Sequence, residues 1–103
     1  MGIIELNKDN FKKEVLENKK GILVDFFATW CGPCKMMGPL LEDLAKKDNK
    51  FDIGKLDVDE CEDLAREYGI MSIPCIIYFK DGKEVNRSVG MASEDDLLKM
   101  TEE

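Results

Sequence analysis

Two cysteines, Cys31 and Cys34, flank a glycine and a proline and follow a tryptophan in the run Trp30-Cys31-Gly32-Pro33-Cys34. A C-x-x-C pair is typical of either thiol–disulfide exchange or metal binding, and its surroundings decide between the two. An apolar run lies upstream at 22–27, and an amphipathic run lies downstream at 35–47. The pair is therefore predicted to lie where a strand passes into a helix. Free backbone N–H groups and the helix dipole favour a thiolate at such a place, so the surroundings favour redox chemistry.

The composition predicts one globular domain spanning residues 1–103. A net charge of −7 argues against a nucleic-acid partner and against an anionic membrane surface. The sequence contains no histidine, which excludes His-dependent zinc hydrolases, Ser-His-Asp hydrolases and Cys-His proteases. The N-terminal run lacks the pattern of a signal peptide, so we expect a cytoplasmic protein whose disulfides are transient and catalytic.

The hydrophobic pattern predicts nine elements in the order β-α-β-α-β-α-β-β-α. Their predicted positions are strand 3–6, helix 8–17, strand 22–27, a long helix after the cysteine pair, strand 51–58, helix 60–67, strand 75–79, strand 84–89 and a last helix from 93 onward. This order predicts an α/β fold. Its sheet has a parallel portion and an antiparallel hairpin edge, and helices cover both faces.

Helix ends are predicted from polar residues that can cap a backbone N–H. Asn7 is predicted to cap the first helix and Asp59 the third, while Ser93 and Asp96 form a capping box for the last. Pro39 lies inside the amphipathic pattern and predicts a kink rather than an end.

Over essentially its whole length, the sequence resembles the thioredoxin family. The matching segments are Val24-Asp25-Phe26, Ala28-x-Trp30-Cys31-Gly32-Pro33-Cys34-Lys35, Pro39, Lys55-Leu56-Asp57-Val58-Asp59, Tyr68-Gly69-Ile70, Ile73-Pro74, Phe79-Lys80-Asp81-Gly82 and Val89-Gly90. The W-C-G-P-C pentapeptide, with an aspartate upstream and I-P downstream, is the most specific of these. The resemblance implies the thioredoxin fold, a central mixed five-stranded sheet flanked by four helices. It also implies a general protein disulfide reductase with no bound cofactor.

The cysteine pair supplies the expected chemistry. Cys31, at the helix start, is predicted to be the nucleophile, and Cys34, one turn later on the same face, the resolving thiol. Gly32 leaves room for a substrate backbone, and Pro33 fixes φ where a helix begins. Trp30 is interpreted as a flat apolar wall beside the disulfide.

Asp25 is an unusual residue for a strand covered on both faces, because burying an ionised carboxylate is unfavourable. Its pKa is therefore predicted to be raised. The resemblance implies that Asp25 accepts the proton of Cys34 and that Lys55, on the adjoining strand, biases its charge. The alternative interpretation is an acid at a strand end that faces solvent.

The resemblance also implies a substrate groove. In the family the I-P peptide bond, here Ile73-Pro74, is cis, and the backbone before the proline bonds an extended substrate segment. Val58, Gly90 and Met91 match positions that line the same groove. The implied partners are disulfide-containing target proteins and a thioredoxin reductase, linked to NADPH or to ferredoxin. We expect a monomer.

Two positions depart from the family pattern, and a further cysteine lies outside it. Phe27 stands where many members have a second tryptophan, and Cys75 stands where threonine is familiar. Cys75 is interpreted as a buried apolar residue, with the alternative that it lies close enough to the pair to modulate it. Cys61 is expected to be partly exposed, with a pKa raised by its acidic neighbours.

Other classes of function stay open at this stage. The thiols of Cys31, Cys34 and Cys75 could serve a metal or iron–sulfur module, although Cys61 and Cys75 form no second C-x-x-C pair. A structural disulfide and a binding module with incidental thiols are the remaining alternatives.

Overall fold

The computed structural model describes residues 2–47 and 50–102, so residues 1, 48, 49 and 103 of the predicted domain lie outside it. Strands in this part of the chain form one five-stranded sheet. They are β1 (Ile4–Leu6), β2 (Ile22–Phe27), β3 (Asp52–Asp57), β4 (Cys75–Lys80) and β5 (Lys83–Val89). Across the sheet the order is β1-β3-β2-β4-β5, with β1, β3 and β2 parallel and the last two pairs antiparallel. The predicted mixed sheet with a hairpin edge is confirmed.

The centre of the sheet is formed by β2 and β4, which are buried over nearly their whole length. Their sequences are almost continuously apolar because both faces of a central strand are covered. Asp25 interrupts β2 with a buried carboxyl group, next to Lys55 of β3 in the parallel register.

The two faces of the sheet carry separate hydrophobic cores. On one face, Ile22, Val24 and Phe26 pack with an N-terminal helical segment that contributes Phe11 and Val15. On the other, Leu23 packs with buried residues of two further helices, Met37, Leu41, Leu44 and Leu97. Successive residues of a strand point to opposite faces, so Asp25 lies on the Leu23 face.

The helix that follows the cysteines, α1, spans Gly32–Ala45. Its buried residues Met37, Leu41 and Leu44 recur at helical spacing and face the sheet. The helix continues through Pro39, so the prediction that this proline does not end the helix is confirmed.

The first helical segment is shorter than the predicted helix 8–17. It is a π-helix over Lys12–Leu16, in which the Glu17 N–H donates to the Lys12 carbonyl over 2.9 Å. Asn7 does cap the backbone, since its Oδ1 accepts from the N–H groups of Asp9 and Asn10. These bonds close a separate turn before the helix, which explains the later start.

The helix α2 spans Glu62–Glu67, and the prediction that Asp59 caps it is wrong. Its N-cap residue is Cys61, while Asp57 Oδ1 accepts from the N–H groups of Asp59 and Glu60. An aspartate at the end of β3 therefore closes a turn of its own before the helix begins. The predicted end of this helix at Tyr68 and Gly69 is confirmed, since Gly69 has φ 63°.

The C-terminal third follows the predicted turn and capping chemistry. Asp81 and Gly82 both have positive φ in the tight turn between β4 and β5. The last helix, α3, spans Glu94–Met100 and begins with the predicted capping box of Ser93 and Asp96. In the described part of the chain, the helices all fall short of the length and apolar character needed to cross a lipid bilayer.

Candidate active site

The cysteine pair lies at the N-terminus of α1, directly after the buried strand β2. Cys31 is the N-cap residue, with an extended backbone, and its Sγ accepts the Cys34 N–H over 3.2 Å. Cys31 and Cys34 form a disulfide, with their Cα atoms 5.2 Å apart. The Sγ of Cys31 is thus held by a helix N–H of the kind that stabilises a thiolate once the bond is reduced.

Asp25 is only 5% exposed, which confirms its predicted burial. Among the described residues, its Oδ1 is a buried oxygen without a hydrogen-bond partner. Burial raises the pKa of Asp25 to about 7, although the nearby charge of Lys55 acts to lower it. The predicted direction of the shift is confirmed, and its cause is desolvation of the carboxylate.

A cavity of about 310 Å³ is lined by both Asp25 and Cys34. Its lining includes Asp25, Cys34, Lys35, Gly38 and Lys55. One open cavity therefore contains the buried acid, the second cysteine and two lysines. This space is large enough to admit water between Asp25 and Cys34.

Ile73 packs against the cysteine pair, and the Ile73-Pro74 peptide bond is cis, as the resemblance implied. The Ile73 carbonyl oxygen is 3.9 Å from Cys31 Sγ, and Val58 and Ile73 pack against the cluster of Ala28 and the two cysteines. The Gly90 N–H donates to the Pro74 carbonyl over 2.8 Å. These contacts bring Val58 and Ile73 next to the cysteine pair and join Gly90 to Pro74.

Three exposed apolar side chains lie close in sequence to Cys31, Ile73 and Gly90. Trp30 is 69% exposed, and its Nε1–H donates to Asp59 Oδ2 over 2.7 Å, which fixes the indole beside the disulfide. Met91 is half-exposed next to Gly90. Sequence reasoning did not identify Met71, which is 93% exposed two residues before Ile73. A single methionine in a loop is part of no hydrophobic periodicity, so only the structure identifies Met71 as an exposed apolar residue close to Ile73.

The other two cysteines, which both lie in the described segments, are free thiols buried in the core on the opposite face from Asp25. Cys75 is 1% exposed, which confirms its interpretation as a buried apolar residue. Cys61 is also buried, so the expected partial exposure is wrong. Its pKa is raised first by burial and then by Glu60, which confirms the predicted direction.

Metal ligands are not clustered in the fold. Within residues 2–47 and 50–102, there is no group of three or more cysteine, aspartate or glutamate side chains arranged to hold a metal ion. Cys75 and Cys61 both belong to the core on the other face of the sheet, whereas Cys31 and Cys34 are bonded to each other.

Comparisons with known proteins agree with this geometry. The thioredoxin family model matches residues 2–103. Thioredoxin of Chlamydia muridarum is 48% identical over 95 residues, covering 92% of this chain and 91% of the relative. The bifunctional thioredoxin reductase/thioredoxin of Mycobacterium leprae is 45% identical over 97 residues, covering 93% of this chain and 21% of the relative. The crystal structure of Malassezia sympodialis thioredoxin superposes with a TM-score of 0.87 at 34% identity, covering 99% of this chain and 91% of that one.

The chain therefore belongs to the thioredoxin family and is a protein thiol–disulfide oxidoreductase. Family members use a cysteine disulfide as their redox centre without a bound cofactor. The pair Cys31–Cys34 is that centre here. The alternative of a metal or iron–sulfur module is not favoured.

Proposed function

We propose that the protein is a general protein disulfide reductase in which Cys31 is the nucleophile. The observation that carries this assignment is the position of Cys31 at the N-cap of α1, with its Sγ accepting a helix N–H. In the reduced protein, the Cys31 thiolate attacks one sulfur of a target disulfide. The target's S–S bond breaks, a mixed disulfide forms, and the first target thiolate leaves and takes up a proton.

Cys34 completes the reduction. It passes its proton to the Asp25 carboxylate and then attacks the Cys31 sulfur, which releases the second target thiolate and forms the Cys31–Cys34 disulfide. Two electrons pass to the target in all. With a pKa of about 7, Asp25 is present in both protonation states near neutral pH and can accept this proton. Lys55, which shares the cavity, favours the charged form of Asp25.

The target binds across the exposed apolar surface around Cys31. The Ile73 carbonyl, beside Cys31 Sγ, offers an acceptor for the backbone of an extended target segment. Trp30, Val58, Pro74, Gly90 and Met91 provide the groove. Gly32 and Pro33 keep the approach to Cys31 open. Met71 extends the apolar surface, and a flexible thioether suits targets of varied shape.

A thioredoxin reductase regenerates the dithiol in this proposal. Support comes from the Mycobacterium leprae relative, whose name joins a thioredoxin reductase to a thioredoxin. The donor of that reductase is NADPH or ferredoxin. We further propose that residues 1–103 act as one monomeric domain in the cytoplasm, where a reducing potential favours the reductase direction.

The reduction of insulin disulfides by dithiothreitol tests this function. The wild-type protein is expected to accelerate the reaction, and Cys31→Ser to reduce the catalysed rate to background, since the nucleophile is lost. Cys61→Ser is the matched control, because it removes a thiol from the other core and should keep most of the activity. Full activity in Cys31→Ser would overturn the assignment.

The order of the two cysteines is tested by trapping. Cys34→Ser retains the nucleophile but cannot resolve the mixed disulfide, so a covalent complex with the target is expected to accumulate on a non-reducing gel. Peptide mapping should place the link at Cys31. A complex linked through Cys61 or Cys75 would contradict the mechanism.

A further inference from the structure

Three charged residues form a row across three neighbouring strands. Glu5 of β1 is in register with Lys55 of β3, and Lys55 is in register with Asp25 of β2. Side chains at matched positions of parallel strands project to the same face, and adjacent strands lie about 4.8 Å apart. Lys55 therefore lies between two acids, one on each side.

The two acids have different surroundings. Glu5 is exposed, and its Oε1 lies 3.8 Å from Lys55 Nζ. Asp25 is buried, and its Oδ1 has no hydrogen-bond partner in the described part of the chain. Lys55 Nζ also lies 5.9 Å from the centre of the Phe27 ring, and Lys55 lines the cavity beside Asp25. The ammonium group thus lies near an acid and an aromatic ring, and in the described part of the chain it forms no ion pair with the buried carboxyl.

We infer that Glu5 is a positioning residue that competes with Asp25 for Lys55 and thereby keeps the buried carboxyl protonated at higher pH. This inference rests on the proposed role of Asp25 as proton acceptor. Glu5 touches neither target nor cysteine, and it acts through Lys55. Its effect is to withhold the cation that would otherwise favour an early ionisation of Asp25.

The titration of Asp25 also depends on the other titratable and charged groups around it. Lys55 lies on β3, beside β2, and Glu5 lies on β1, one strand further out. Cys34 and Lys35 line the cavity from α1. On β4, Cys75 lies one residue before Ile76, the register partner of Asp25. In the oxidised protein Cys34 is bonded to Cys31 and does not titrate. Cys75 is buried with a raised pKa, so its thiol stays neutral around pH 7. A change in the position of the Lys55 ammonium group should therefore change the pKa that is measured for Asp25.

The experiment is a pH titration of the Asp25 carboxyl carbon by ¹³C NMR in the oxidised protein. Glu5→Gln is expected to lower the pKa of Asp25, because Lys55 is released toward it, and Lys55→Met is expected to raise it. Glu17→Gln is the matched control, since it removes the same charge from an exposed residue after the helical segment on the opposite face. An unchanged or raised pKa of Asp25 in Glu5→Gln would overturn the inference.

A double variant separates action through Lys55 from direct charge repulsion. In the Lys55→Met background, Glu5→Gln is expected to change the titration of Asp25 by much less than in the wild-type background. An equal drop in both backgrounds would mean that Glu5 acts on Asp25 by its own charge, and would overturn the shared-lysine inference.

The pH profile of insulin reduction keeps this inference distinct from the proposed function. If both hold, Glu5→Gln shifts the acidic limb of the profile to lower pH together with the titration of Asp25. If the titration moves and the profile does not, the positioning role of Glu5 stands and the role of Asp25 as proton acceptor fails.

Discussion

Cys31 and Cys61 occupy the same position relative to a helix, yet they differ in chemistry. Each is the N-cap residue of the helix that follows it, and each is buried. Cys31 is half of the redox disulfide, whereas Cys61 is a free thiol with a raised pKa. Neither burial nor an N-terminal location can therefore account for the difference.

The two helix starts differ in length, hydrogen bonding and charge. The helix after Cys31 has 14 residues, begins Gly-Pro-Cys-Lys and donates the Cys34 N–H to the sulfur. The helix after Cys61 has 6 residues and carries Glu62 and Asp63 in its first turn. The negative charges of these acids interact with the positive end of the helix dipole, so the helix end stabilises a nearby thiolate less. The two helix starts thus differ in whether an N–H of the first turn donates to the N-cap sulfur and in whether that turn carries acids.

The acids near the two cysteines differ as well, and this difference gives the largest predicted effect. Asp25, in the cavity with Cys34, is buried with a pKa of about 7 against an ordinary 3.8, whereas Glu62 is exposed. The pKa of such a group is higher in the folded protein than in the unfolded chain. Its contribution to stability is fully present below the pKa of the unfolded chain, and it is lost as pH rises through the pKa of the folded protein. Between about pH 4 and pH 7 the wild-type protein is therefore expected to lose about 4 kcal/mol of stability from Asp25.

Asp25→Asn should remove this component. The free energy of unfolding of the variant, minus that of the wild type, is expected to rise by up to about 4 kcal/mol from pH 4 to pH 8. Denaturant unfolding of the two oxidised proteins over that range measures it. Glu62→Gln is the control for an exposed acid, and its difference from wild type should stay nearly constant. A flat difference for Asp25→Asn would show that the carboxyl ionises in the folded protein as it does in the unfolded chain.

A second prediction makes the start of α1 resemble that of α2. Gly32→Glu places an acid in the first turn after Cys31, as Glu62 follows Cys61, and the space around Gly32 in the described structure can hold a side chain. The added charge should raise the pKa of the Cys31 thiol and lower the rate of insulin reduction at neutral pH by about tenfold, a loss that shrinks at high salt.

Gly32→Gln is the matched control, because it adds the same bulk without the charge. Its activity should fall less than that of Gly32→Glu. The alkylation rate of Cys31 against pH in the two reduced variants measures the shift directly. Equal pH profiles would mean that the first-turn charge does not explain the difference between the two cysteines.

The sequence predicts the architecture well because its signals are local and periodic. The apolar run at 22–27 and the Asp81-Gly82 turn coincide with β2 and with the turn before β5. The burial of Asp25 can also be predicted, because a continuously apolar strand is covered on both faces and leaves no position that faces solvent. The helix starts at 8 and 60 were wrong because Asn7 and Asp57 each close a turn of their own before the helix begins.

Contacts between distant segments could not be predicted from the sequence. The bond from Trp30 to Asp59 joins two loops, and nothing in either segment specifies it. The ion pair of Glu5 with Lys55 depends on the register between β1 and β3, which only the assembled sheet defines. The exposure of Met71 likewise follows from the loop before Ile73 and not from any repeat in the sequence.

The smallest predicted effect concerns Cys61, whose pKa is raised by burial and, next, by the charge of Glu60. Glu60→Gln should lower this pKa without restoring an ordinary thiol, since burial remains the larger cause. Its alkylation by iodoacetamide in the oxidised protein is then expected to accelerate two- to threefold, roughly the effect of one partly screened charge. Peptide mapping reports the rate, and Cys75, which is 1% exposed, serves as the internal reference.

Glu17→Gln, remote from this thiol in the sequence, should leave the ratio of the two rates unchanged. An unchanged ratio in Glu60→Gln would mean that the charge of Glu60 does not slow the reaction of Cys61, and the contrast with Cys31 would then rest on helix length and hydrogen bonding.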